Sequence, residues 1–220
     1  MLNAFTDLPL THSLTMPFHI LVAAGLGLIL QAQPNFASLR RLYLLSPQDR
    51  TWLYIASFPS IRQLCRVCIV QLLESTDDLV DLQLPMVLAG ALERIIEAAS
   101  RQSGTSGLRK LVLVQSAYGQ NPEEIFTLLP KAEFERILIG GLEYFDTLYE
   151  ISIPFHFLTQ ELVLTLSRLE NLGALTVTVP TYEGVPGIPV FRGQVEGMMQ
   201  IAFSQGGFST LSQLEVCYTD

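Results

Sequence analysis

Leucine and isoleucine recur along the chain in the pattern L-x-x-L-x-L, which is typical of a short strand buried on one side. The clearest example is residues 108–114, and related patterns lie at 39–44, 79–84, 148–153, 172–177 and 211–216. Alternate residues of a strand point to opposite faces. The last two apolar positions should therefore face a core, and the residues between them should face outward.

The second apolar position of each pattern gives a measure of the repeat. A shorter alternation at 13–16 and weaker patterns at 60–70 and 134–139 extend the series. The second apolar positions of all these patterns are on average 25 residues apart, and single intervals range from 14 to 39 residues. They are Leu14, Leu42, Leu64, Leu82, Leu111, Ile137, Ile151, Leu175 and Leu214. This spacing predicts strand-and-helix units that stack and share one core.

Helices are expected between the strands. Proline or a capping residue followed by apolar positions at helical spacing predicts helices at 17–32, 47–57, 86–101, from 121, at 154–169 and at 194–203. Residues 134–139 are expected to form a strand that ends at Gly140 and Gly141.

The resulting fold prediction is α/β, a single domain over residues 1–220 with irregular repeats. A solenoid would have one curved parallel sheet with helices on its outer side. The alternative is a compact three-layer α/β domain, in which central strands are continuous apolar runs covered on both faces. Polar residues between the strand leucines favour the solenoid.

Composition limits the partners. Apolar residues make up 49% of the 220-residue chain and charged residues 15%, and the formal net charge is −8. Because nucleic-acid binders usually carry a basic patch, binding of nucleic acid is not expected. Three cysteines are too few for a disulfide framework, so we expect a reducing compartment, the cytoplasm or nucleus.

One apolar stretch raises the question of a membrane. Residues 18–32 carry no charged side chain, but the run is shorter than a bilayer span and contains Gly25 and Gly27. We therefore interpret this stretch as a buried helix, with membrane association as an alternative.

Catalytic signatures are not recognisable in the sequence. Cys65 and Cys68 form a C-x-x-C without a second ligand pair, and His12, His19 and His156 are scattered. No catalytic residue, cofactor or metal site is predicted. An α/β enzyme with a site at the strand C-termini, near Tyr118, Glu143 and Tyr182, stays as the alternative function.

The outward strand positions are the candidate binding residues. If the units stack in order, these side chains form a row on one concave face suited to a protein partner. The predicted partner-binding residues are Arg41, Tyr43, Gln63, Asp81, Gln83, Lys110, Arg136 and Glu150. The Pro- and Gly-rich loop at 181–192 is a second candidate.

The repeat resembles that of leucine-rich-repeat proteins of the ribonuclease-inhibitor-like type. The phrases SLRRL at 38–42 and GLRKL at 107–111, with FTDLP at 5–9, are similar to the repeat region and opening of fungal F-box proteins. The resemblance implies a non-catalytic module that recognises substrates for a ubiquitin ligase. Terminal repeats need polar outer faces, and neither end of the repeat series carries one. We therefore expect either a piece of a longer solenoid or ends that are covered by another chain.

A duplicated phrase supports the repeat. LTMPFHIL at 14–21 matches ISIPFHFL at 151–158, and LQLPMVL at 82–88 is a weaker form.

Overall fold

The computed structural model describes residues 12–17, 39–45, 79–85, 107–114, 131–142, 145–179 and 188–218. Its strands are β1 (Ser13–Pro17), β2 (Arg41–Leu45), β3 (Asp81–Pro85), β4 (Lys110–Val114), β5 (Glu150–Pro154), β6 (Ala174–Val179) and β7 (Gln213–Tyr218). Its α-helices are α1 (Lys131–Leu142), α2 (Gln160–Leu166) and α3 (Ile188–Ser204), and a 3-10 turn covers Phe155–Phe157.

The described strands form one seven-stranded sheet. Every neighbouring pair is parallel, and the order in space, β1-β2-β3-β4-β5-β6-β7, is the order along the chain. The predicted α/β class is confirmed. Each of these strands also falls on a stretch that the leucine pattern predicted.

The strand register aligns the leucine pattern from one strand to the next. Leu14 pairs with Leu42, Leu42 with Leu82, and the row continues across the whole sheet. Its members are Leu14, Leu42, Leu82, Leu111, Ile151, Leu175 and Leu214. A shift by one residue would turn every buried side chain of a strand outward, so burial of this row fixes the register.

The same backbone contact precedes the strands at all six junctions. At the first, the His12 carbonyl accepts the amide protons of Arg40 and Arg41 at 2.9 and 3.0 Å. At the last, the Gly173 carbonyl accepts those of Ser212 and Gln213 at 2.9 and 3.0 Å. The intervening acceptors are the carbonyls of Arg40, Val80, Arg109 and Tyr149. Each described strand therefore joins the next through equivalent hydrogen bonds at its start.

The two faces of the sheet differ as the pattern predicts. The inward row is almost fully buried, with Leu42, Leu82, Ile151 and Leu175 each 0% exposed. The first leucine of five patterns is buried as well, namely Leu39, Leu79, Leu108, Leu148 and Leu172, whereas Leu211 is half-buried. Buried side chains of the three α-helices join the strand residues in one hydrophobic cluster.

The prediction of a strand at 134–139 is wrong, because these residues lie within α1. Phe134, Ile137, Leu138, Gly141 and Leu142 are buried and recur every three or four residues, as on one side of a helix. The first and second apolar positions of L-x-x-L-x-L are also three residues apart. The motif alone therefore did not distinguish a helix from a strand at 134–139. Gly140 and Gly141 lie inside the helix and do not end it.

The predicted helix at 154–169 is two shorter elements. The 3-10 turn Phe155–Phe157 comes first, and the hydroxyl of Thr159 then caps α2 by accepting the amide proton of Leu162 at 3.1 Å. The same hydroxyl donates to the carboxylate of Glu135, so α1 and α2 are joined at this cap.

Helix α3 begins at Ile188, six residues earlier than predicted. Pro189 lies in its first turn, where a missing N–H removes no helical hydrogen bond. The predicted helix at 17–32 lies outside the described residues except for Pro17, which is the last residue of β1. The predicted helices at 47–57, 86–101 and from 121 lie outside them as well. So do the pattern at 60–70 and the Cys65 and Cys68 pair.

Candidate functional site

Six of the eight predicted partner-binding residues lie on the outward face of the sheet. They are Arg41, Tyr43, Asp81, Gln83, Lys110 and Glu150, all at positions that alternate with the buried leucines. Arg136 does not join them, because it is an exposed residue of α1. Gln63 lies outside the described residues.

Charged side chains alternate in sign along one row of the outward face. Arg41, Asp81, Lys110 and Glu150 occupy registered positions on β2 to β5. Arg41 Nε lies 3.1 Å from Asp81 Oδ2, and Lys110 Nζ lies 2.6 Å from Glu150 Oε1. The row is thus neutralised within the chain, and we name it the charge row.

Tyr43 connects the charge row to the next row of residues. Its hydroxyl donates a hydrogen bond to Asp81 Oδ2 at 3.2 Å. Burial raises the pKa of the Tyr43 phenol, and the Asp81 carboxylate raises it further. The phenol therefore keeps its proton at neutral pH and continues to act as a donor.

A depression of about 400 Å³ lies on the outward face beside the charge row, and we name it the central trough. The residues that line it all belong to strands: Tyr43, Gln83, Lys110, Val112, Glu150, Ser152, Thr176 and Glu215. Val112, Ser152 and Thr176 are registered neighbours on β4, β5 and β6. These three short side chains leave the space that the longer side chains surround.

A second depression, of about 710 Å³, lies towards the N-terminal ends of the strands. Its lining residues are Asp81, Arg109, Lys110, Thr147, Tyr149, Glu150 and Asn171. Tyr149 is 53% exposed, and its ring covers Gly173 closely. A Cβ atom added to Gly173 would lie 2.2 Å from Cε2 of Tyr149. Lys110 and Glu150 line both depressions and separate them.

Sequence reasoning did not assign Val112, Ser152, Thr176, Glu215 or Tyr149 to the site. Four of these residues lie at outward positions of predicted strands, so the two-residue period could have found them. Emphasis on long polar side chains hid Val112, Ser152 and Thr176, because a trough forms where the side chains are short.

The described residues contain no group of three or more His, Cys, Asp or Glu side chains arranged to hold a metal ion. Cys217, on β7, is half-buried. Tyr118, Glu143 and Tyr182, proposed for an enzyme site, lie outside the described residues. So does most of the loop at 181–192, whose end forms the start of α3.

His156 lies in the 3-10 turn after β5, at the position that matches His19 in the duplicated phrase. Burial lowers its pKa, and the positive charge of Lys131 lowers it further. Lys131 is held nearby, since its ammonium donates to the Leu158 carbonyl at 3.2 Å. The imidazole therefore favours its neutral form at pH 7.

The lowered pKa of His156 predicts a pH-dependent stability. Between the native pKa and the unfolded value of about 6.5, the unfolded chain binds more protons, so the free energy of unfolding falls as pH falls through this window. One proton contributes at most about 1.4 kcal/mol per pH unit. The free energy of unfolding is measured in urea at pH values from 7.5 to 5. Its dependence on pH should be weaker for His156→Gln than for the wild type.

His12→Gln is the matched control, because His12 is exposed beside β1. This variant measures how much the loss of an exposed histidine changes the pH dependence, and the effect of His156→Gln is compared with it. If the free energy of unfolding changes equally with pH in His156→Gln and in the wild type, His156 does not cause the pH dependence.

Comparison of the chain with protein-family models, with curated proteins and with solved structures gives no match. Among the described residues, none of the helices combines the length and the apolar character needed to cross a bilayer. Residues 18–32 lie outside the described part of the chain.

Proposed function

We propose that the chain is a non-catalytic protein-interaction module, built as a leucine-rich-repeat-like solenoid. Three observations support the solenoid: the sequential parallel strand order, the aligned row of buried leucines and the equivalent hydrogen bonds at each of the six junctions. Repeats that cover one another's apolar faces produce these features together.

The observation that carries the binding proposal is the outward face itself. The charge row and the central trough lie side by side there, and strands β2 to β7 supply every lining residue of the trough. A rigid sheet that presents polar groups around a depression is suited to hold part of another protein. Because the charge row is already paired, the trough is the better candidate for the principal contact.

The resemblance to fungal F-box proteins favours a narrower form of this proposal, in which the bound protein is a substrate for ubiquitin ligation. This narrower form depends on the sequence phrases alone, and FTDLP at 5–9 lies outside the described residues.

A blocked trough tests the proposal. Val112→Arg places a long charged side chain on the half-exposed floor, so we expect at least a tenfold loss of the proteins that the immobilised wild-type chain retains. Quantitative mass spectrometry of the retained proteins measures the loss, and circular dichroism checks that the variant is folded.

Arg136→Glu serves as the control, since Arg136 is an exposed residue of α1 and contributes to neither depression. It should retain the same proteins as the wild type. Retention by folded Val112→Arg at the wild-type level would refute binding through the outward face.

A further inference from the structure

We propose that the central trough binds a basic side chain, lysine or arginine, of the partner protein. This inference rests on the proposed function and names the chemistry of the contact. It is argued from the charges and from the shape of the trough.

The charges that line the trough leave one carboxylate uncompensated. Lys110 is paired with Glu150 at 2.6 Å, so these two charges offset each other. Among the described residues, Glu215 makes no ion pair, although it lines the same depression. The lining therefore carries a net negative charge, and a cation is the ligand that complements it.

The neighbouring acidic group does not compete for that cation. Asp81 already accepts a hydrogen bond from Tyr43 and lies 3.1 Å from Arg41 Nε, and its side chain is only 17% exposed. A partner's cation would gain little there. Glu215 is exposed at the far side of the trough, on β7, where it can reach a partner without breaking an existing pair.

The floor suits the stem of a long basic side chain. Val112 offers an apolar surface to methylene groups, while the hydroxyls of Ser152 and Thr176 and the amide oxygen of Gln83 can accept N–H bonds. Lysine and arginine combine these requirements, because their stems pack on apolar surface while the charged end stays near polar groups. A carboxylate in the same place would meet Glu150 and Glu215.

Small probes test the chemistry directly. N-acetyl-lysine methylamide and N-acetyl-arginine methylamide are titrated into the full chain, and NMR follows the Val112 methyl groups and the amides of Ser152 and Thr176. We expect saturable shifts confined to these residues, and N-acetyl-glutamine methylamide should bind at least twofold more weakly than either basic probe.

Glu215→Gln should weaken binding of the basic probes about two- to fivefold, the range of a partly exposed ion pair. Glu161→Gln, which removes an equal charge from the exposed side of α2, should leave their affinity unchanged. Three results would each overturn the inference: equal binding of the glutamine probe, equal losses in both variants, or no saturable shift at the trough.

The partner assay separates this inference from the proposed function. Val112→Arg fills the trough whatever the partner's chemistry, whereas Glu215→Lys repels only a basic group. Loss of binding in both variants supports a basic contact. If Val112→Arg loses binding and Glu215→Lys retains it, the outward face still binds a protein but the basic side chain is rejected. If both retain it, the proposed function fails as well.

Discussion

Phe134→Ala should lower the free energy of unfolding by about 3–5 kcal/mol, the range for deleting a fully buried aromatic side chain. Phe134 is 0% exposed, and its ring centroid lies 4.7 Å from that of Phe157, which is 1% exposed. The substitution leaves a cavity between α1 and the 3-10 turn and removes the contact between the two rings. Urea unfolding followed by circular dichroism measures the loss.

Arg136→Ala in the same element is the control. The predicted strand also placed Arg136 outward, so this variant tests the exposure of the side chain and not the assignment of the helix. In α1 Arg136 is exposed while Phe134 and Leu138 are buried. We therefore expect a change within about 0.5 kcal/mol for Arg136→Ala. A loss similar to that of Phe134→Ala would contradict the exposed position of Arg136 on α1.

The strands were most predictable where their burial is one-sided. Around Leu111, for example, Lys110 and Val112 are half-buried while Leu111 is 1% exposed, so the two-residue period is visible in the sequence. The register followed as well, since aligning buried leucines leaves one arrangement of the strands. The lengths of the connections between strands could not be obtained from the motif.

Correcting residues 134–139 reveals a longer regularity. Successive members of the aligned leucine row are 28, 40, 29, 40, 24 and 39 positions apart, so shorter and longer connections alternate. The sequence prediction placed Leu64 and Ile137 inside two of the longer connections, which hid the alternation. Ile137 lies in α1, and Leu64 lies outside the described residues.

Local features follow the same alternation. Strands β1, β3 and β5 end at Pro17, Pro85 and Pro154, and these strands carry the duplicated phrase and its weaker form. Before β5 the Thr147 hydroxyl donates to the Leu108 carbonyl, and before β7 the Thr210 hydroxyl donates to the Leu172 carbonyl, both at 3.0 Å. Among the described strands, the connection lengths and these local features therefore alternate with a period of two strands.

The candidate site was less predictable than the strands. Outward positions such as Arg41 and Glu150 were found because the period assigns a face to each residue. Whether a residue lines a depression depends on its neighbours on adjacent strands, and Ser152 became part of a trough because it is registered with Val112 and Thr176. That information requires the register of three strands at once.

Leu175→Ala should lower the free energy of unfolding by about 2–5 kcal/mol, since Leu175 is 0% exposed in the aligned row. The effect of Leu175→Ala should also depend on a substitution at Ile151, its registered neighbour on β5. In a double-mutant cycle with Ile151→Val, we expect an interaction of about 0.5 kcal/mol or more, because the two side chains share one part of the core. Urea unfolding of both single variants and the double variant measures this energy.

Leu42→Val supplies the comparison cycle, because β2 and β6 are four strands apart, roughly 19 Å at about 4.8 Å per strand. Its effect should add to that of Leu175→Ala within about 0.3–0.5 kcal/mol. A stack in which each unit contacts only its neighbours requires coupling in the first cycle and additivity in the second. Equal coupling in both would favour a single compact core over a stack of repeats.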